Sequence, residues 1–128
     1  FLQTYDEIDI VFTHADESPM GAVMAIENSG RRDEMLICSV NGTTEGIKAI
    51  LDGRMDMTVM YTNASGPGVE MAIKILKGES VPKNITIDPL VIDASNASEY
   101  YFEGTYSPDP IGLEESTYQT SDTYVTEG

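Results

Sequence analysis

The chain predicts an α/β fold, a parallel sheet of βαβ units arranged as a three-layer sandwich. Three features carry this: short apolar runs without helical gaps, amphipathic stretches between them, and Gly or Pro at the junctions. Ile8–Thr13 holds the run Ile10-Val11-Phe12, the pattern of a strand covered on both faces. Ser18-Pro19 reads as N-cap and first helical residue. Met20, Val23, Met24 and Glu27 then trace one face of a helix over 18–29, which Gly30 stops. Met35–Val40 is a second strand. Thr43 caps a helix over 43–51, with Ile47, Ile50 and Leu51 at helical spacing and Gly53 at its end. Met57–Tyr61 is a third strand. Gly66-Pro67 opens a helix over 67–77, with Val69, Ala72, Ile73 and Leu76 on one face and Gly78 after it. Two brief β-like runs follow, Ile85–Ile87 and Leu90–Ile92. The three main strands are expected as parallel neighbours with the first in the middle, joined by right-handed crossovers.

The organisation is one domain over residues 1–99 and an acidic extension over 100–128. From Tyr100 onward there is no Lys or Arg, and Glu and Asp are interspersed with Ser, Thr and Tyr, a solvated and partly extended composition. Phe1–Tyr5 reads like the end of a helix, so the chain is expected to be a piece of something longer.

Composition excludes several functions. The net charge is −15 with only 7 Lys and Arg, so nucleic acid is not an expected partner, because phosphate binding needs basic patches. The single cysteine, Cys38, has no internal disulfide partner and sits in an apolar run, as a buried inert thiol would. No run approaches the roughly 20 apolar residues of a membrane helix, and no signal-peptide pattern is expected within these 128 residues. No Ser occupies a Gly-x-Ser-x-Gly elbow and there is one histidine, which leaves little for acid–base or nucleophilic chemistry: no enzyme is expected. Gly42-Thr43-Thr44-Glu45-Gly46 lacks the Lys of a phosphate loop, and no cofactor is expected. The four Asn-x-Ser/Thr triplets, at Asn41, Asn63, Asn84 and Asn96, are no more than a Ser/Thr-rich chain gives by chance.

In open parallel sheets ligands bind beyond the carboxyl ends of the strands. That rule selects three loops: His14-Ala15-Asp16-Glu17, Asn41-Gly42-Thr43-Thr44 and Tyr61-Thr62-Asn63. They supply imidazole, carboxylate, amide and hydroxyl groups, the donors and acceptors that a polyol needs. Tyr61 offers an aromatic face for the C–H side of a sugar ring. The candidate ligand-binding residues are Asn41, Tyr61, Asp16 and His14. Each has a plainer alternative: Asp16 as the cap of the helix near Ser18, Asn41-Gly42 as a turn after a strand, His14 as a structural histidine. A metal site from His14, Asp16 and Glu17 is not expected, since the three are too close in sequence to close a shell.

Val11-Phe12-Thr13-His14-Ala15-Asp16-Glu17 followed by Gly21-Ala22 resembles the strand-then-Asn-Asp-Glu signature of sugar-type periplasmic binding proteins, the type I substrate-binding proteins of ABC transporters. Asn41-Gly42-Thr43 resembles that family's Asp-Gly-Thr loop. Ile47-Lys48-Ala49-Ile50, Asp52-Gly53-Arg54 and Thr58-Val59 are similar to its next block, and Leu76-Lys77-Gly78-Glu79 with Val81-Pro82 to the end of its penultimate helix. The resemblance covers about residues 5 to 99, the C-terminal portion of such a protein, and Thr62–Pro67 is nearest the galactofuranose-binding branch.

The resemblance implies a two-lobed protein that closes on a sugar and delivers it to ABC permease subunits. It implies a periplasmic or extracellular location, through a lipoprotein anchor on the full-length protein. The alternatives are the effector domain of a LacI-type transcription regulator or a sugar-sensing receptor ectodomain. Three departures alter the implied contacts: Ala15 stands where the family has a ligand-binding Asn, Asn41 where it has Asp, and Tyr61 where ribose-type members have Gln. The resemblance also places helix 67–77 on a lobe absent from this chain. Its apolar face is then expected to lose its cover and the chain to self-associate.

Overall fold

The structure, a computed structural model, describes residues 1–61, 64–103 and the backbone of 118–124. These fall into two bodies: 1–60 with 90–103, and 61–89 with 118–124.

The first body is a four-stranded sheet with helices on it. Its elements are β1 (Ile10–Phe12), α1 (Pro19–Ser29), a 3₁₀ turn (Arg32–Glu34), β2 (Leu36–Val40), α2 (Thr44–Leu51), β3 (Met57–Met60), β5 (Leu90–Asp93) and α4 (Ala97–Tyr100). The sheet order is β1-β2-β3-β5. β1, β2 and β3 are parallel, with Val11 opposite Ile37 and Ser39 opposite Thr58. β5 joins antiparallel, Thr58 opposite Ile92, so the sheet is mixed.

The expected central position of the first strand is corrected by this order: β1 is at the edge and β2 lies inside. The reason is handedness. Val23 and Ile26 of α1 and Ile47 and Ile50 of α2 belong to one buried cluster with Ile37, Met60 and Ile92, so both helices cover the same face. Two right-handed crossovers over one face step the chain the same way twice, which leaves the strands in sequence order. A central β1 needs its two crossovers on opposite faces.

Burial follows the pleat. Val11, Ile37, Ser39, Thr58, Met60 and Ile92 share the helix-covered face, and five of the six are buried. Burying each Ile or Met is worth about 1.5–3 kcal/mol, which makes this face the main source of cohesion. On the opposite face Ile10, Phe12, Leu36 and Val91 are 60, 54, 53 and 47% exposed. Cys38 lies on that side, partly buried; burial first, then the nearby Asp56 carboxylate, pushes its thiol above the ordinary range.

Helix faces differ in detail from the expected ones. α1 buries Pro19, Val23 and Ile26, while Met24 is exposed and Glu27 pairs with Arg54. α2 buries Ile47, Ala49 and Ile50 and leaves Leu51 exposed. Ser18 stands at the N-cap of α1 without a side-chain cap bond, whereas Thr43 caps α2 by accepting from Gly46 N at 3.2 Å. At the N-terminus Thr4 N and Tyr5 N donate to Phe1 O, one helical turn. Arg31 holds the end of that turn, donating to the carbonyls of Leu2, Tyr5 and Asp6 at 2.8, 2.9 and 2.7 Å. Cations are favoured at such carbonyl ends.

The second body contains α3 (Ser65–Leu76) and β4 (Val81–Ile87), which pairs antiparallel with β6 (Tyr118–Tyr124). Part of the acidic extension is therefore a strand; its residues 104–117 and 125–128 lie outside the described residues. Of α3 only Pro67 is buried, and the expected stripe is bare, with Val69, Ile73 and Leu76 exposed. Among the described residues no helix is long and apolar enough to cross a membrane.

Candidate functional site

The carboxyl ends of β1 and β2 bring two of the three expected loops together through one buried carboxylate. Thr13 N, just past β1, donates to Cys38 O at 2.9 Å, which holds the strand to β2 up to its end. The chain then turns, with Ser18 N on Ala15 O at 3.2 Å. The turn aims Asp16 inward, where it is fully buried. Its Oδ1 accepts from the hydroxyls of Ser39 on β2 and Thr58 on β3, the latter at 2.7 Å. Its Oδ2 accepts from Thr43 N at 2.5 Å. A buried carboxylate is tolerated only with such a full set of donors. Asp16 therefore does not cap α1, the alternative reading of the sequence; it ties the start of α2 to the two inner strands.

Asn41 follows β2 directly and has φ of 125°, a region that side-chain-bearing residues rarely adopt. Three successive N–H groups fix this turn. Asn41 N donates to Val59 O at 2.9 Å, Gly42 N to Thr58 Oγ1 at 3.2 Å, and Thr43 N to Asp16. Gly42, with φ of 69°, has no room for a side chain: a Cβ there would lie 2.5 Å from that of Met60. The plain reading of Asn41-Gly42 as a turn is thus correct as geometry, yet it leaves the strain on Asn41. The Asn41 side chain is half-buried.

His14 is exposed, its ring edge-on to Phe12 with centroids 5.3 Å apart. Tyr61 is 54% exposed and immediately follows β3, at the start of the second body. Its neighbours Thr62 and Asn63 lie outside the described residues. The structure thus groups His14, Asp16 and Asn41 on one body at the carboxyl ends of parallel strands. Among the described residues no group of three or more His, Cys, Asp and Glu side chains converges as metal ligands do.

Ser39, Thr58 and Gly46 support this site and went unread in the sequence. Ser39 and Thr58 are polar interruptions of apolar strands, at positions whose neighbours two residues away, Ile37 and Met60, face the core. Gly46 is a glycine inside a helix, costly by about 1 kcal/mol unless something needs the space. Here Asp16 needs it: a Cβ on Gly46 would lie 2.5 Å from the Asp16 carboxylate carbon.

No protein-family model matches the chain. It is 34% identical over 89 residues to the ribose import binding protein RbsB of Salmonella typhimurium, which covers 68% of this chain and 30% of that protein. It is 30% identical over 95 residues to the fructose import binding protein FruE of Bifidobacterium longum, covering 73% and 29%. The structure is similar to an ABC transporter periplasmic solute-binding protein of Actinobacillus succinogenes with bound D-allose, with TM-score 0.69, 26% identity and coverage of 77% and 35%. It is also similar to the fructose-binding periplasmic domain of a hybrid two-component system, with TM-score 0.67, 29% identity and coverage of 77% and 34%. The chain spans about a third of the length of the proteins it matches.

Proposed function

Because this chain is a part-length relative of the periplasmic sugar-binding proteins of ABC importers, we propose that it carries one side of a sugar-binding cleft. The observation that supports this best is Asn41. Its strained backbone stands at the carboxyl end of an inner strand, held from beneath by Asp16 through Thr43. Strain of this kind concentrates where a side chain must point at a ligand. The Asn41 amide both donates and accepts, so it suits a sugar hydroxyl. His14 offers a second polar contact and Tyr61 an aromatic face; Asp16 is fully buried.

In the whole protein the ligand is a sugar or sugar-derived molecule that favours a closed form by touching both lobes, and the closed form docks on the permease. No chemical step is assigned to the site, and it acts as a binding protein, not an enzyme. Its place is periplasmic or extracellular, with a lipoprotein anchor on the full-length protein. The net charge of −15 also weighs against a nucleic-acid partner. A second reading, a sugar-sensing receptor ectodomain, draws support from the similarity to a fructose-binding sensor domain. It uses the same residues and differs only in what the closed form contacts.

The test is heteronuclear NMR of the chain with ribose, fructose and allose at high-millimolar concentration. Asn41, His14 and Tyr61 should shift with at least one sugar, and Asn41→Ala should abolish the response. Shifts equal to those given by a non-sugar solute, or an unaltered response in Asn41→Ala, overturn the proposal.

A further inference from the structure

We infer that Asp16 is a positioning residue. Its carboxylate, with the Thr58 hydroxyl, sets the backbone of Asn41-Gly42-Thr43 and so presets the direction of the Asn41 side chain. Asp16 is fully buried and meets three protein donors from three separate elements: Ser39 on β2, Thr58 on β3 and the Thr43 N–H ahead of α2. Thr58 Oγ1 works in both directions, donating to Asp16 and accepting from Gly42 N. Each hydroxyl has one proton, and the carboxylate can only accept, so Asp16 orients the Thr58 hydroxyl with its lone pairs toward Gly42. The two N–H groups that follow Asn41 are thereby fixed by one carboxylate, directly and through one hydroxyl. Asn41 itself is left in a conformation it would abandon if released, since φ near 125° is costly for a residue with a Cβ. The space for Asp16 exists because position 46 is glycine.

This inference concerns the loop; only its effect on sugar rests on the reading above. It separates Asp16 from residues that touch ligand, and it predicts a backbone signature that generic core damage does not give. The measurement is the three-bond HN–Hα coupling of Asn41 and the hydrogen exchange of the Thr43 amide, in the full chain without sugar. In the parent chain the coupling should be small, as φ near 125° requires, and Thr43 should be protected. Asp16→Ala should raise the coupling toward the large value of extended backbone and speed Thr43 exchange at least tenfold. Asp16→Asn should stay near the parent, because its carbonyl can still accept from Thr43 while its amide donates to hydroxyls that turn over. Thr58→Val, which keeps shape and removes the hydroxyl, should release Gly42 and raise the coupling even if Asp16→Ala does not fold; Thr58→Ser should restore it. An unchanged coupling in a folded Asp16→Ala or Thr58→Val chain overturns the inference, as does loss of the whole fold in both. A changed coupling with an undiminished sugar response supports the positioning role and counts against Asn41 as a sugar contact.

Discussion

Gly46 lies directly against Asp16, so that a Cβ added to the glycine would sit 2.5 Å from the carboxylate carbon and from Oδ2. Helix propensity alone favours Gly46→Ala by about 1 kcal/mol. Overpacking a buried site typically costs about 1–3 kcal/mol, and here the displaced group is hydrogen-bonded to three elements. The clash wins: Gly46→Ala is expected to lower stability by about 1–2 kcal/mol in chemical denaturation. A stabilised variant would show that Asp16 yields easily.

Asn41→Gly should separate stability from binding. Glycine accepts φ of 125° without strain, so relief of about 1 kcal/mol is expected, offset in part by the freer unfolded chain. The same change removes the amide, and losing one buried hydrogen-bonding partner costs about 1–3 kcal/mol of binding. Thermal melting beside a sugar titration checks both: Tm unchanged or higher, sugar response lost. A marked fall in Tm would mean that the Asn41 side chain itself holds the loop.

Acid should weaken the fold through two surface carboxylates. Arg54 grips Glu27 at 2.8 and 3.0 Å and holds its carboxyl below the ordinary range. The Ser95 hydroxyl and N–H, at 2.6 and 2.8 Å, do the same for Asp93. A carboxyl whose pKa is lower folded than unfolded contributes stability above the unfolded value, about 4, and loses it as pH falls through the folded value. Denaturation midpoints from pH 7 to pH 3 should therefore drop mainly below pH 4.5. Glu27→Gln should flatten part of that slope, and added salt should mimic it, since the pair is solvent-screened. A slope indifferent to Glu27→Gln assigns the acid response elsewhere.

Cys38 should be a slow thiol. Burial and the Asp56 carboxylate raise its pKa, and only the thiolate is nucleophilic. Iodoacetamide at pH 8 should alkylate it well more slowly than a free cysteine, with a jump on denaturation. Rapid modification of the native chain would place the thiol in a more open setting.

The bare stripe of α3 predicts association. Val69, Ile73 and Leu76 are 61, 46 and 87% exposed, and apolar residues aligned on one helix face mark a surface that seeks cover. Light scattering at micromolar concentration should show dimers or larger species, and Ile73→Glu with Leu76→Glu should shift them toward monomer. A parent chain that is monomeric throughout removes the self-association proposal.

Much of the fold could be read from residue order. Apolar runs flanked by Ser18-Pro19, Gly30, Thr43 and Gly53 set the strands and helices to within a few residues, because caps and breakers act locally. The loops at the strand ends followed from one topological rule. Sequence alone could not say that both crossovers run over one face, since the handedness rule orders strands only once the helix faces are known; hence β1 stands at the edge and not in the middle. Nor could it distinguish Asp16 as cap, ligand contact or anchor, because a lone Asp near a helix start fits all three. That choice was made by Ser39, Thr58 and Thr43, which are 23, 42 and 27 residues away along the chain and meet the carboxylate only when the sheet assembles. Residue order determined which groups stand at the strand ends; the packing of β2, β3 and α2 decided which of them is buried and which is strained.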